Sequence, residues 1–374
     1  MPKFIPYDYN QNTMVVINYQ DQLQPGTFEH AIHFLVTHKL DLSVYFSSYK
    51  NTDNGRPAYD PAILLKIILF AYSKGITSSR EIEWCCQTNI IFKALSCDTV
   101  PHYTTIASFV SSHTQAIESL FEQILITCDE QGLLGHELFA IDGCKMSSNA
   151  AKEYSGTFKE LEQKREKIKR LIKHHIKEHK KFDKDEPREQ ARIKRAKQAT
   201  ETLTVAFDKI DKFLKTSRPR MGKGKIKKEV KSNITDNESA KMTTSKGTIQ
   251  GYNGVASVDK KHQIIIDAQA FGEGQEHHTL QPVLETIKDR YQRLSISQNI
   301  YQDNIIVTAD TGFANEANNQ YLHENNINAY VPDNRFRSRD PKFTNQKTKY
   351  GKRSSYKKIK TTSLIPASEF DFIH

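Results

Sequence analysis

Hydrophobic positions in the first third of the chain recur at helical spacing. Pro61 begins a stretch that is apolar on most faces, with Asp60 as its N-cap and Gly75 as a stop signal. The same periodicity predicts further helices at residues 80–87, 104–110 and 115–131. Because Gly135 then marks a boundary, residues 1–135 are predicted to form a helical N-terminal domain.

Two short helices within residues 75–109 have the spacing of a helix-turn-helix. In that interpretation the second helix enters a DNA major groove with its first residues, His102, Tyr103, Thr104 and Thr105. A small helical bundle without groove contact explains the same pattern. The first 151 residues carry 9 basic and 15 acidic side chains, and this acidic balance leaves both interpretations open.

After residue 135 the spacing of hydrophobic residues predicts both strands and helices, as in an α/β domain. Between the first two predicted strands, apolar residues at heptad spacing predict an antiparallel helical hairpin, with arms of about 30 residues that would each reach roughly 45 Å. Residues 136–374 are therefore predicted to form one domain with a mixed sheet and a hairpin insertion at 152–231. The predicted strands are 137–142, 246–258, 263–268, 305–310 and 329–331, and the predicted helices are 279–294 and 315–325.

Basic residues are concentrated in two segments of a chain with a net charge of +10. Residues 152–231 hold 27 Lys or Arg against 13 Asp or Glu, and residues 335–360 hold 11 basic residues and one acid. Charge this one-sided favours contact with a phosphate backbone, although lysines that only solvate an exposed hairpin would explain the first segment as well. The candidate DNA-binding residues are Lys164, Arg165, Lys169, Arg170, Arg218, Arg220, Lys223, Lys225, Arg335, Arg337 and Arg339.

The cysteines and the apolar runs indicate a cytoplasmic protein. The five cysteines form no CxxC pair, which favours reduced thiols. The most apolar run, residues 62–72, is too short to span a bilayer. Trp84, the only tryptophan, is expected in the core.

Two apolar runs of strand length end on an aspartate. Asp142 is followed directly by Gly143, and Asp310 is followed two residues later by Gly312. Carboxylates on neighbouring strand ends suit Mg²⁺ or Mn²⁺, and two such ions can promote an in-line phosphoryl displacement. Glycine beside an acid would let a phosphate backbone approach. An aspartate at a strand end is more often only a helix cap or a turn former.

Two histidine pairs raise the alternative of a zinc site. His174 and His175 lie on a basic helix where a third ligand is not evident, which favours solvated surface. The second pair, His277 and His278, follows Glu276 near the start of a predicted helix. A helix-cap region is favoured there over a role in orienting substrate or water.

Several segments together resemble bacterial insertion-sequence transposases of the DDE type. They are residues 56–66 (RPAYDPAILLK), 101–106 (PHYTTI), 139–150 (FAIDGCKMSSNA), 236–242 (DNESAKM), 250–259 (QGYNGVASVD) and 307–313 (VTADTGF). The resemblance implies a ribonuclease H-like core that recognises the ends of a mobile element. It also implies cleavage and joining of double-stranded DNA by a homo-oligomer with two Mg²⁺ or Mn²⁺ ions, at the bacterial nucleoid.

The resemblance assigns roles to individual residues. Asp142 matches the first catalytic acid and metal ligand of the family, and Asp310 matches the second. Asp236 and Asn253 lie in segments that resemble the family, and their roles stay open between structural and substrate-adjacent.

The chain departs from the family pattern at the third acid. In the family this is a Glu on a helix after the fifth strand, and no residue between Val331 and His374 fits it, since Glu369 has no helical pattern around it. The pattern predicts a reading frame truncated before the third acid. Three functions therefore remain: an active transposase, an inactive remnant that only binds DNA, and a related nuclease that takes another acid from the sheet region.

Overall fold

The structure is a computed structural model that describes residues 16–49, 57–179, 187–223, 227–245, 247–333 and 335–339. The chain forms two compact units that divide between Gly132 and Leu133. In the described residues no helix has the length and apolar character needed to cross a membrane. All five cysteines are free thiols.

The first unit is entirely helical in its described residues. Its helices are α1 Phe28–His38, α2 Pro61–Ser73, α3 Ser79–Thr88, α4 Ile90–Ser96, α5 Tyr103–Ser112 and α6 Thr114–Glu130. The side chain of Asp60 accepts a hydrogen bond from Ala62 N at 2.7 Å and caps α2, as the sequence predicted. Most of α2 is buried in the core of this unit.

The expectation that Trp84 lies in the core is wrong, because its side chain is 61% exposed. The buried residues of α3 are Ile82, Cys85 and Cys86, which lie three and four positions apart on one face. Trp84 falls on the opposite side of the helix.

The second unit contains the sheet and the remaining helices. Its strands are β1 Leu138–Ser147, β2 Ser155–Gly156, β3 Arg220–Met221, β4 Glu229–Val230, β5 Ser232–Asn233, β6 Ala240–Thr244, β7 Gly247–Asp259, β8 Ile265–Phe271, β9 Ile306–Ala309 and β10 Ala329–Tyr330. Its helices are α7 Phe158–His179, α8 Pro187–Thr216, α9 Leu280–Arg293, α10 Glu316–Glu324 and α11 Phe336–Arg339.

The main sheet has six strands in the described part of the chain. Its order is β10-β9-β1-β7-β6. Strands β6 and β8 pair with the same edge of β7, and each of them covers one half of that edge. The pairs β1–β9 and β9–β10 are parallel, and the other pairs are antiparallel. The predicted mixed α/β architecture with a helical N-terminal region is therefore confirmed. The edge strand β6 was not predicted, because its alternation of polar and apolar residues is short.

Helices α7 and α8 form an antiparallel pair. Phe158 at the start of α7 packs near Phe213 at the end of α8, with ring centroids 5.7 Å apart. Leu161 and Ile210 are buried between the two helices. Arg165 adds an ion pair to Asp211 at 3.0 Å.

Helix α9 packs its apolar face on the sheet. Tyr291 is fully buried with its ring 5.8 Å from that of Phe139 on β1. Arg290 is also buried and donates to Asp267 Oδ1 at 2.5 Å and to the carbonyl of Ile266 at 3.1 Å, both on β8. These contacts tie the end of α9 to the start of β8.

Candidate active site

The sheet register places Asp142 and Asp310 side by side. The last parallel pair between β1 and β9 joins Ile141 to Ala309, so the next residue along each strand is an acid. Strand β1 does not end at Asp142 as predicted, because its antiparallel pairing with β7 continues to Ser147. Asp142 therefore lies inside a strand, where its parallel neighbour ends.

Each acid is held by the backbone of a glycine that closely follows it. Gly143 N donates to Asp142 Oδ1 at 2.7 Å, and Gly312 N donates to Asp310 Oδ1 at 2.7 Å. Asp310 also begins a short 3₁₀ turn, so it is a turn former as well as a candidate ligand. Both residues are exposed to solvent.

Glu276 lies against both glycines, and the sequence analysis did not identify it as a site residue. A Cβ atom at Gly143 would overlap Glu276 Oε1, and a Cβ atom at Gly312 would overlap Glu276 Oε2. The space beside the two acids is thus filled by a third carboxylate, where the sequence predicted room for a phosphate backbone.

The surroundings of Glu276 shift the pKa of its carboxyl group. Partial burial raises the pKa of the Glu276 carboxyl, and the negative charges of Asp310 and Asp142 raise it further. Asn253 and Lys145 act in the opposite direction and lower that pKa. Three carboxylates therefore face one another with little compensating positive charge.

The turn that carries Glu276 is tied to the segment after β9. Asn315 Nδ2 donates to the carbonyl of His277 at 2.6 Å, and Asn318 Nδ2 donates to the same carbonyl at 3.1 Å. Asn318 is 5% exposed and also donates to the carbonyl of Phe313 at 2.7 Å. These bonds connect the Glu276 turn to the residues that directly follow Asp310.

Asn253 on β7 lies beside the acidic group. It is fully buried and lies close enough to Glu276 to lower the pKa of that carboxyl. Neither atom of its amide makes a hydrogen bond of regular geometry. A buried amide without well-aligned partners is costly, so a polar group that approached Asn253 would relieve that cost.

Asp236, the other residue left open by the sequence, has structural contacts. Its carboxylate accepts hydrogen bonds from Tyr252 Oη at 2.7 Å and from Ser239 N at 3.2 Å. Burial and the bond to Asp236 raise the pKa of Tyr252 to about 12. Asp236 thus shapes the turn before β6.

The donor atoms at this edge of the sheet fit a hard divalent cation. Asp142 and Asp310 supply carboxylate oxygens, and the amide oxygen of Asn253 is a further oxygen donor without an aligned partner. Oxygen-only groups suit Mg²⁺ or Mn²⁺ rather than zinc. Within the described residues no three His, Cys, Asp or Glu side chains stand in the geometry of a formed metal site.

The predicted DNA-binding residues of the hairpin differ in how strongly their side chains are engaged by other groups of the protein. Lys169 and Arg170 are exposed on α7, and Arg170 Nε donates a long hydrogen bond of 3.4 Å to the carbonyl of Glu166. Lys164 donates to the carbonyl of Glu153 and lies over the ring of Tyr154, and Arg165 is engaged with Asp211. Lys169 and Arg170 are therefore better placed than Lys164 and Arg165 to contact a phosphate.

The basic residues that follow the hairpin also separate into two groups. Arg218 is exposed, whereas Arg220 donates to the carbonyls of Asn237, Ser239 and Gly272. Lys223 is exposed and pairs with Glu273 at 2.6 Å. Arg220 therefore holds together the loops before β6 and after β8.

The remaining predicted residues lie near or beyond the end of the described chain. Arg335 is exposed, and Arg339 pairs with Asp333. Arg337 lies in α11, and its side chain is outside the described set, as are Lys225 and the predicted basic segment after residue 339.

Comparison with known families gives one match near the start of the chain and one in its later part. A transposase domain family, DUF772, matches residues 17–112, and the transposase DDE domain family matches residues 211–371. The second match includes Glu276 and Asp310, and Asp142 lies before it. No curated protein and no solved structure gives a significant match. Both matched families are transposase families, and this chain belongs to the insertion-sequence DDE transposases.

Proposed function

We propose that the chain is a DNA transposase that cleaves and joins DNA strands at the edge of a ribonuclease H-like sheet. The observation that carries the proposal is the register of β1 and β9, which sets Asp142 beside Asp310. The mixed sheet order is compatible with this fold. We assign the helical region of residues 1–135 to element recognition and residues 136–374 to catalysis.

The chain's own residues prepare the site for the reaction. The N–H groups of Gly143 and Gly312 each hold one oxygen of an acid, so the side chains of Asp142 and Asp310 are oriented before substrate binds. Asp142 and Asp310 would hold the Mg²⁺ or Mn²⁺ ions that the DDE family uses. When bound, these ions supply Lewis-acid activation of the attacking oxygen and stabilise the leaving oxygen.

The basic surfaces would hold the DNA. The exposed Lys169, Arg170 and Arg218 offer phosphate contacts that do not depend on base sequence. We propose that hairpin α7–α8 is a DNA-contacting arm inserted into the catalytic domain. We also propose that the protein acts as a homo-oligomer that joins two element ends.

The proposal is tested with DNA that carries the terminal repeat of the element encoding the chain. In Mg²⁺ or Mn²⁺ the protein is expected to cleave at the repeat and to join the end to a target duplex. Asp142→Asn and Asp310→Asn should each lower the rate by more than about 100-fold, because each removes several kcal/mol of charge stabilisation. Asp289→Asn on the exposed side of α9 is the matched control. Cleavage at wild-type rate by both site variants would overturn the proposal.

A related nuclease is the second candidate function. The observation that favours it is Glu276, which lies on the turn after β8 and meets the glycines that follow the two strand acids. Cleavage of unrelated DNA without any joined product would establish it in place of the transposase. Salt-sensitive DNA binding with no cleavage in either metal ion would instead indicate the remnant that only binds DNA.

A further inference from the structure

A third carboxylate, that of Glu276, lies against the two glycines that follow Asp142 and Asp310. We propose that Glu276 is the third carboxylate of the acidic site formed by Asp142 and Asp310. This inference rests on the proposed function. It assigns the role to a turn between β8 and α9, far from where the family pattern puts a helix.

Contact with both glycines is the first argument. Glu276 directs one carboxylate oxygen to Gly143 and the other to Gly312, the residues that orient the two aspartates. A side chain at either glycine would displace Glu276. The two glycines thus admit a third acid to the site from a distant part of the chain.

The way the turn is anchored is the second argument. Two asparagine side chains, Asn315 and Asn318, bind the carbonyl of His277, so the turn cannot move without the segment after Asp310. The side chain of Thr279 donates to the carbonyl of Glu276 itself at 2.9 Å. An exposed glutamate that only solvates a loop needs no such support.

The unbalanced charge is the third argument. Glu276 is partly buried beside two other acids, and the buried amide of Asn253 beside it has no aligned partner. Lys145, the cation that acts on Glu276, is exposed and donates to the carbonyl of Thr243 at 2.9 Å. Carboxylates held together in this way repel one another until a cation joins them.

The test is direct binding of Mn²⁺ to the full chain, measured by calorimetry and by thermal unfolding with and without the ion. Glu276→Gln should weaken Mn²⁺ binding by at least about 10-fold. Loss of a group that only supports a metal ligand already weakens metal binding by about 10-fold or more, and loss of a direct ligand should cost at least as much. Without Mn²⁺ this variant should unfold at or above the wild-type temperature, because it removes a repelling charge. Glu273→Gln is the matched control in the same turn, since Glu273 pairs with Lys223, and it should bind Mn²⁺ like the wild type.

The outcomes separate this inference from the proposed function. If Asp142→Asn and Asp310→Asn lose Mn²⁺ binding while Glu276→Gln binds normally, the role of Glu276 is overturned and the proposed function stands. If both aspartate variants bind Mn²⁺ and cleave like the wild type, both fall. Should Glu276→Gln not fold, Glu276→Asp decides the question. Weaker Mn²⁺ binding by the folded Asp variant supports the ligand role, and wild-type binding overturns it.

Discussion

The acidic edge of the sheet and the basic hairpin belong to the same unit and are built in opposite ways. Hairpin α7–α8 follows from residues close in sequence, since its core repeats every three or four positions along two successive helices. The acidic edge brings together Asp142, Asn253, Glu276 and Asp310 from four distant segments. The hairpin tolerates local change, whereas the edge depends on every strand and turn that positions it.

Among the variants that test this difference between the acidic edge and the hairpin, Asp267→Ala is expected to have the largest effect. Removal of the aspartate leaves Arg290 buried with its ion pair broken, which should cost about 3–5 kcal/mol in the free energy of unfolding. Because Arg290 ties α9 to β8, the acidic edge should lose Mn²⁺ binding well before the hairpin loses helicity. Chemical unfolding followed by circular dichroism and by Mn²⁺ binding measures both. Simultaneous loss of the two signals would show that the regions are not independent.

Ile210→Ala tests whether a change in the core of the hairpin leaves the acidic edge unaffected. Ile210 is fully buried between α7 and α8, so truncation should cost about 2–5 kcal/mol locally. Mn²⁺ binding at the acidic edge should be unchanged, and protease cleavage should increase within α7 and α8 only. Val205→Ala at an exposed position of α8 is the control. A drop in Mn²⁺ affinity would contradict the local character of the hairpin.

Gly312→Ala sharpens the account of the edge itself. The added methyl group meets Glu276 and Asp310, and overpacking of this kind typically costs about 1–3 kcal/mol. We expect weaker Mn²⁺ binding, and we expect Glu276→Ala in the same chain to relieve the loss of stability but not the loss of binding. Gly247→Ala, whose Cβ would meet no atom within 4 Å, is a control for space although its positive φ adds strain. Additive stability losses in the double variant would show that Gly312 and Glu276 do not touch.

The smallest effect is expected from the joint variant Lys169→Ala and Arg170→Ala. If both side chains neutralise phosphates, the slope of log binding constant against log salt should fall by about 0.9 for each phosphate that is no longer neutralised. Cleavage at saturating protein should be unchanged. DNA titrations at several salt concentrations measure the slope, and Lys212→Ala at an exposed position of α8 is the control. An unchanged slope would favour a hairpin whose lysines are only solvated.

Much of the fold was predictable because its elements follow hydrophobic period and capping. Helix α2 begins at Pro61 and ends at Ser73, as the N-cap and stop signals indicated. The pairing of the two aspartates also followed from sequence, since both end apolar strand-length runs. The true length of β1 did not, because residues 143–147 are mostly exposed and form no apolar run, and only their pairing with β7 makes them a strand.

Glu276 was missed because nothing local distinguishes it from a helix cap. It stands in a polar turn with glycines at 272 and 274, where periodicity carries no information. The strand at 265–271 is followed by two acids, Glu273 and Glu276, and only the folded structure shows that Glu276 is the one that meets Gly143 and Gly312. The prediction of a lost third acid concerns residues 331–374, of which 340–374 lie outside the described residues, and it stays a prediction.

The continuation of β1 past Asp142 makes the two aspartates unequal in backbone rigidity. The backbone around Asp142 is paired with β7 on to Ser147, so those of its amides that donate to β7 should exchange with solvent hydrogen only when the sheet opens. Asp310 lies beyond the end of β9 in a short turn, where exchange needs only a local opening. If DNA binds at this edge as proposed, we expect the site to adjust through Asp310 and the Glu276 turn bound to the segment after it, with Asp142 as the fixed reference.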